Sequence, residues 1–144
     1  MIKLINHKII SIEIDMNQQH YIRFTTDKGV YCYSAEGDCC SESWFYEITG
    51  VDALLNEVIF EVDIISMGSV DDDLSRQYSD EKYKITLKTR MGYCDIIFRN
   101  SSNGYYGGSI EDCDNIPDDR RMKTLKDDFE YGCILLSKKI EECC

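Results

Sequence analysis

Strict alternation of apolar and polar residues constrains this chain more than any other feature. Ile10, Ile12 and Ile14 alternate with Ser11, Glu13 and Asp15, and Tyr83, Ile85 and Leu87 alternate with Lys82, Lys84, Thr86 and Lys88. A period of two puts one face of a strand on a core and the other in water, and it does not suit a helix. The same period recurs at 21–26, with Ile22 and Phe24 inward, and at 58–65, with Val58, Phe60, Val62 and Ile64 on one face, while 30–34 reads as a third strand and 93–99 as a sixth, paired with the fifth as a hairpin. Asn17–His20, Asp27-Lys28-Gly29 and Met91-Gly92 fall between these runs and read as turns. Six strands follow, joined largely as hairpins, and Ser109–Cys113 is positioned to return to the sheet.

Two segments carry helical spacing instead. Trp44, Ile48, Val51 and Leu55 are four, three and four residues apart, with Asp38 or Ser41 available as a cap and Gly50 as a kink. Met122, Leu125, Phe129, Cys133, Leu136 and Ile140 form a second stripe, predicting a helix over 118–142 with Lys138 and Lys139 at its C-terminal end. A strand over 129–136 is the competing assignment, and 69–80 reads as a polar connection. The predicted fold is α+β in a single domain of 144 residues, with its core in 5–110. An antiparallel sheet of about six strands carries one short helix after strand three and one C-terminal helix.

A net charge of −11 argues against general nucleic-acid binding, which needs clustered Lys and Arg. It favours a basic protein partner, or mimicry of nucleic acid towards one. The first eight residues hold no uninterrupted apolar run, and no segment is long enough to span a membrane. The eight cysteines are therefore expected to be reduced thiols in a cytoplasm, several of them packed as small apolar groups. No Cys-x-x-Cys, phosphate-binding glycine loop or His-Glu-x-x-His is present, and Pro117 occupies the glycine position that a calcium loop would need. No metal and no cofactor are expected. The vicinal Cys39-Cys40 pair lies among acidic and polar neighbours that do not favour a thiolate, so packing outweighs chemistry there.

Two stretches look unlike plain scaffold. Glu36–Tyr46 holds the single tryptophan, and Arg99–Ser109 combines a cation, amides, hydroxyls, two tyrosines and three glycines. The candidate ligand-binding residues are Asp38, Ser41 and Trp44 on one wall and Arg99, Asn100, Asn103, Tyr105 and Tyr106 on the other. Arg99 and backbone amides suit a phosphate, and a tyrosine ring suits a base. A long turn that needs Gly and Asn for its backbone is the competing reading.

The literal blocks Gly37-Asp-Cys-Cys-Ser-Glu-Ser-Trp-Phe45 and Phe98-Arg-Asn-Ser-Ser-Asn-Gly-Tyr-Tyr-Gly-Gly108 resemble a small uncharacterised domain family found in bacteriophage and bacterial genomes. The resemblance covers roughly residues 5–110 and brings no established activity with it. It implies a phage-borne accessory protein in a bacterial host's cytoplasm, a setting where inhibitors of host defence are common. Two readings follow, and a homo-oligomer interface fits the first. One is a non-enzymatic protein that sequesters a small nucleotide-like ligand to counter defence signalling. The other is an acidic inhibitor that blocks a basic host protein by charge mimicry. A thiol-dependent enzyme built on Cys39 or Cys40 is a third, weaker reading.

Overall fold

The computed structural model describes residues 1–37, 41–69, 79–102 and 108–130. Ten strands occur there: β1 (Ile9–Asp15), β2 (Tyr21–Thr26), β3 (Gly29–Gly37), β4 (Glu42–Thr49), β5 (Glu61–Ser69), β6 (Ser79–Thr89), β7 (Gly92–Ser102), β8 (Gly108–Cys113), β9 (Met122–Thr124) and β10 (Phe129–Glu130). One α-helical turn, α1 (Val51–Leu54), and a 3-10 turn at Ile2–Leu4 complete the described elements. The strands form two five-stranded sheets, ordered β8-β3-β2-β1-β9 and β10-β4-β7-β6-β5, with every pairing antiparallel.

Ile12, Ile14, Ile22, Phe24 and Tyr33 of the first sheet and Phe45, Ile48, Ile85, Leu87, Ile96 and Phe98 of the second belong to one buried cluster. The sheets therefore face each other across a single core, as in a sandwich. The chain builds three strands of the first sheet and crosses to lay down β4–β7 of the second. It then returns with β8, which pairs with β3 from Cys32↔Cys113 to Gly37↔Gly108. The stretch after β8 closes one edge of each sheet, β9 on β1 and β10 on β4.

This all-β architecture overturns the α+β expectation. The stripe Trp44–Leu55 is not a helix: its first half is β4, and only Val51–Leu54 coil into α1. The cause is a β-bulge. Phe45 sits opposite Phe98 and Ile48 opposite Ile96, so three steps on β4 match two on β7. Phe45 and Ile48 therefore both face the core although three residues apart, and Trp44 and Tyr46 lie on the outer face with Ile97, so that Trp44 and Ile48 of the predicted stripe fall on opposite faces. Gly50, at φ 82, then breaks the strand and begins α1.

The C-terminal helix over 118–142 is likewise overturned within the described residues, where β9 and β10 occupy its first part. Leu125 and Phe129 do reach the core, but as parts of an extended chain. Asp128 between them accepts hydrogen bonds from the N–H groups of Gly50 (2.7 Å) and Val51 (3.1 Å), which holds that chain against the start of α1. The competing assignment, a strand at 129–136, agrees with Phe129–Glu130, and residues 131–144 lie outside the described residues.

Two alternations are also corrected. A register shift between Ile9 and Ser11 buries Ile9 and leaves Ile10 47% exposed. The fourth predicted strand begins later than expected, at Glu61, while Val58 forms only an isolated bridge with Lys8.

Candidate functional site

The two blocks singled out in the sequence meet at the corner where the chain passes between sheets. Ser43 faces Asn100 and Trp44 faces Arg99 on the β4–β7 pair, while Gly37 faces Gly108 on β3–β8. The Ser43 hydroxyl donates to Asn100 Oδ1 at 2.8 Å in a buried setting. A Cβ on Gly108 would run into Ser43 Oγ and into Asn100, so glycine there lets the two sheets approach.

Arg99 is fully buried on the outer side of the second sheet and forms a forked ion pair with Asp80. Nη2 lies 2.9 Å from Oδ2 and Nε lies 3.2 Å from Oδ1. Its guanidinium carbon sits 5.6 Å from the Trp44 ring and 5.1 Å from the Tyr46 ring, and Lys82 Nζ lies 4.8 Å from the same Tyr46 ring. A planar cation between aromatic faces with a bidentate carboxylate is a well-satisfied arrangement for a buried charge.

Of the predicted site residues, Trp44 and Arg99 come together on the outer face of the second sheet, whereas Asn100 points the other way, to Ser43 and Gly108, and Ser41 lies beside Gly37 just before β4. Asp38, Asn103, Tyr105 and Tyr106 lie outside the described residues. Sequence reasoning missed Asp80, Tyr46 and Lys82. The signal for the first was available, because Asp80 continues the outward alternation of Lys82 and Lys84 one step upstream.

A carboxylate-rich zone borders this cluster along β4. Glu47 has its carboxyl raised by burial and then by the charges of Glu130, Asp128 and Asp95, with Lys82 partly opposing them. Beyond it, at the other end of the sheet order, β5 pairs only with β6 among the described residues. Ile64 (55% exposed) and Ile65 (49%) emerge on opposite faces of β5, with Phe60 (58%) and Met67 (48%) nearby. Lys88 ties down the two acidic residues of that strand, at 2.9 Å from Glu61 and 3.2 Å from Asp63.

Burial disfavours the thiolate form of the described cysteines. Burial pushes Cys94 up to about 12 and Cys113 up to about 11, and it raises Cys32 as well. Cys39 and Cys40 lie outside the described residues. Among the described residues, no group of three or more His, Cys, Asp or Glu side chains is arranged to hold a metal ion, and no helix is long and apolar enough to cross a membrane.

These features define an all-β sandwich with a buried cation–aromatic corner and an apolar strand, β5, that is paired on one side among the described residues. The chain belongs to the family described as a domain of unknown function, DUF7448, which matches residues 2–111. It is also similar to an uncharacterized protein of Acanthamoeba polyphaga mimivirus, at 36% identity over 86 residues. That similarity covers 54% of this chain and 64% of the viral protein's length. No solved structure matches.

Proposed function

We propose that this chain is a non-enzymatic binding protein that takes an extended, Lys- or Arg-bearing segment of a partner protein along β5. The observation that supports it is the edge itself: a nine-residue strand, paired on one side among the described residues, with apolar side chains exposed on both faces. Open edges of this length are usually blunted by charge, proline or a covering element, because they template strand addition. The net charge of −11 selects the chemistry of the occupant, repelling a second copy and attracting a basic segment. A viral relative fits a virus-encoded accessory protein that blocks a basic host factor.

The test is fluorescence anisotropy with two labelled peptides of alternating sequence, one Val/Lys and one Val/Glu. The Val/Lys peptide binds, its affinity falls as salt rises, and Ile64→Lys/Ile65→Lys abolishes it. Equal binding of both peptides, or of neither, overturns the reading.

The pairing of Arg99 with the Trp44 and Tyr46 rings supports a second reading, capture of a small nucleotide-like ligand at the corner to counter host defence signalling. Asp80 already holds Arg99, so a phosphate there must compete with a buried carboxylate. Calorimetry against cyclic and ADP-ribose-type nucleotides decides it, and no heat at high micromolar ligand ends it.

A further inference from the structure

The outer face of the first sheet carries a row of directly opposed residues: Glu13 on β1, Arg23 on β2, Cys32 on β3 and Cys113 on β8. Arg23 is held by Glu13 through two hydrogen bonds of 2.9 and 2.7 Å. Cys32 therefore stands between a fixed guanidinium and a second thiol. The two free cysteines stand directly opposite each other, and both side chains are partly exposed. Opposed residues on antiparallel strands have Cα atoms roughly 4.5–5.5 Å apart, inside the roughly 4.4–6.8 Å window of disulfides. An open cavity of about 210 Å³ lined by Lys3, Tyr31, Tyr33 and Asp112 reaches both cysteines, enough room for a small reagent.

We propose that Cys32 and Cys113 form a reversible cross-strand disulfide, and that the oxidant is a low-molecular-weight disulfide entering through this cavity. Cys32 releases its proton to water, and its thiolate attacks one sulfur of the small disulfide, giving a mixed disulfide and expelling one small thiolate. Cys113 releases its proton in turn, and its thiolate attacks the Cys32 sulfur, closing the protein disulfide and expelling the second small thiolate. The protein loses two electrons, and the small disulfide gains them as two thiols. Arg23 favours the Cys32 thiolate, which makes Cys32 the first to react. Burial raises both thiols and so keeps the attacking thiolate scarce near neutral pH, and oxidation accelerates as pH rises. The other charged groups around the pair are Glu13, Glu36, Lys3, Asp112 and Asp114.

The test is to incubate the reduced full chain with glutathione disulfide, alkylate the remaining thiols and map the peptides by mass spectrometry. The expected product is a Cys32–Cys113 cross-link free of glutathione, forming several-fold faster at mildly alkaline than at neutral pH. It persists in Cys39→Ser/Cys40→Ser. Cys113→Ser leaves glutathione trapped on Cys32, and in the unaltered chain the oxidised form shows a higher urea midpoint than the reduced form. Recovery of Cys32 and Cys113 as alkylated free thiols, or pairing of either with a different cysteine, overturns the proposal.

Discussion

Arg99 is the most demanding side chain in the fold, a permanent cation with no exposed surface. Its desolvation is tolerable because Asp80 and the Trp44 and Tyr46 rings meet it from different sides. Removing the carboxylate alone, as in Asp80→Ala, takes a buried counter-charge from that cation and costs about 3–5 kcal/mol. Replacing both partners, as in Asp80→Leu/Arg99→Met, costs much less, and urea denaturation of the two variants separates these outcomes.

Glu47 runs the other way. Its folded carboxyl is raised above its unfolded value, so its contribution to stability is full at acid pH and is lost as pH climbs past the raised pKa. Glu47→Gln is accordingly more stable than the parent near neutral pH and indistinguishable from it around pH 3, below the ordinary range of about 4.3 for a glutamic acid. Thermal melts at the two pH values check this.

Elements show what the residue pattern could and could not disclose. Strands β2 and β6 were legible because nothing interrupts their period of two between turns, and β7 as the hairpin partner that follows β6 across Met91-Gly92. Strand β4 was not, because one inserted residue between Phe45 and Glu47 rewrites its spacing, and a bulge is fixed by the partner strand rather than by local sequence. Short β9 and β10 exist through their edges on β1 and β4 and through the Asp128 contacts to Gly50 and Val51, all set by distant residues. At the corner, the two blocks read as opposite walls of a pocket prove to pair as strands where they are described, and the burial of Arg99 was not legible, since its carboxylate partner lies 19 positions upstream.

Two glycines test the local geometry. Gly50 (φ 82) and Gly68 (φ 85) share a left-handed backbone, but a Cβ at Gly50 would strike the Tyr93 carbonyl, whereas one at Gly68 meets open space. Gly68→Ala therefore costs only the conformational penalty of about 1–2 kcal/mol, and Gly50→Ala costs clearly more by urea denaturation.

For the whole molecule, antiparallel pairs such as β3–β8 and β1–β9 join residues far apart in sequence, so closure of the core waits on long loops. Refolding after dilution from urea is expected on the roughly millisecond-to-second scale of all-β topologies. Leu125, 2% exposed, is the apolar plug that the returning chain inserts, and its N–H reaches the Ile12 carbonyl at 2.8 Å. Leu125→Ala is expected to cost about 2–5 kcal/mol in equilibrium urea unfolding.

The chain departs from the first sheet after Gly37 and rejoins it at Gly108, two residues that stand opposite each other on neighbouring strands. Strands β4 to β7 are thus threaded through a doorway one strand spacing wide, the end-to-end geometry that lets domains accept insertions. In evolutionary terms the two glycines bound the part of the chain most open to change in length. The turns between β4 and β7 can grow or shrink while the register of β3 against β8 stays as it was, but the core-facing residues of those strands are shared with the first sheet and are tied to it.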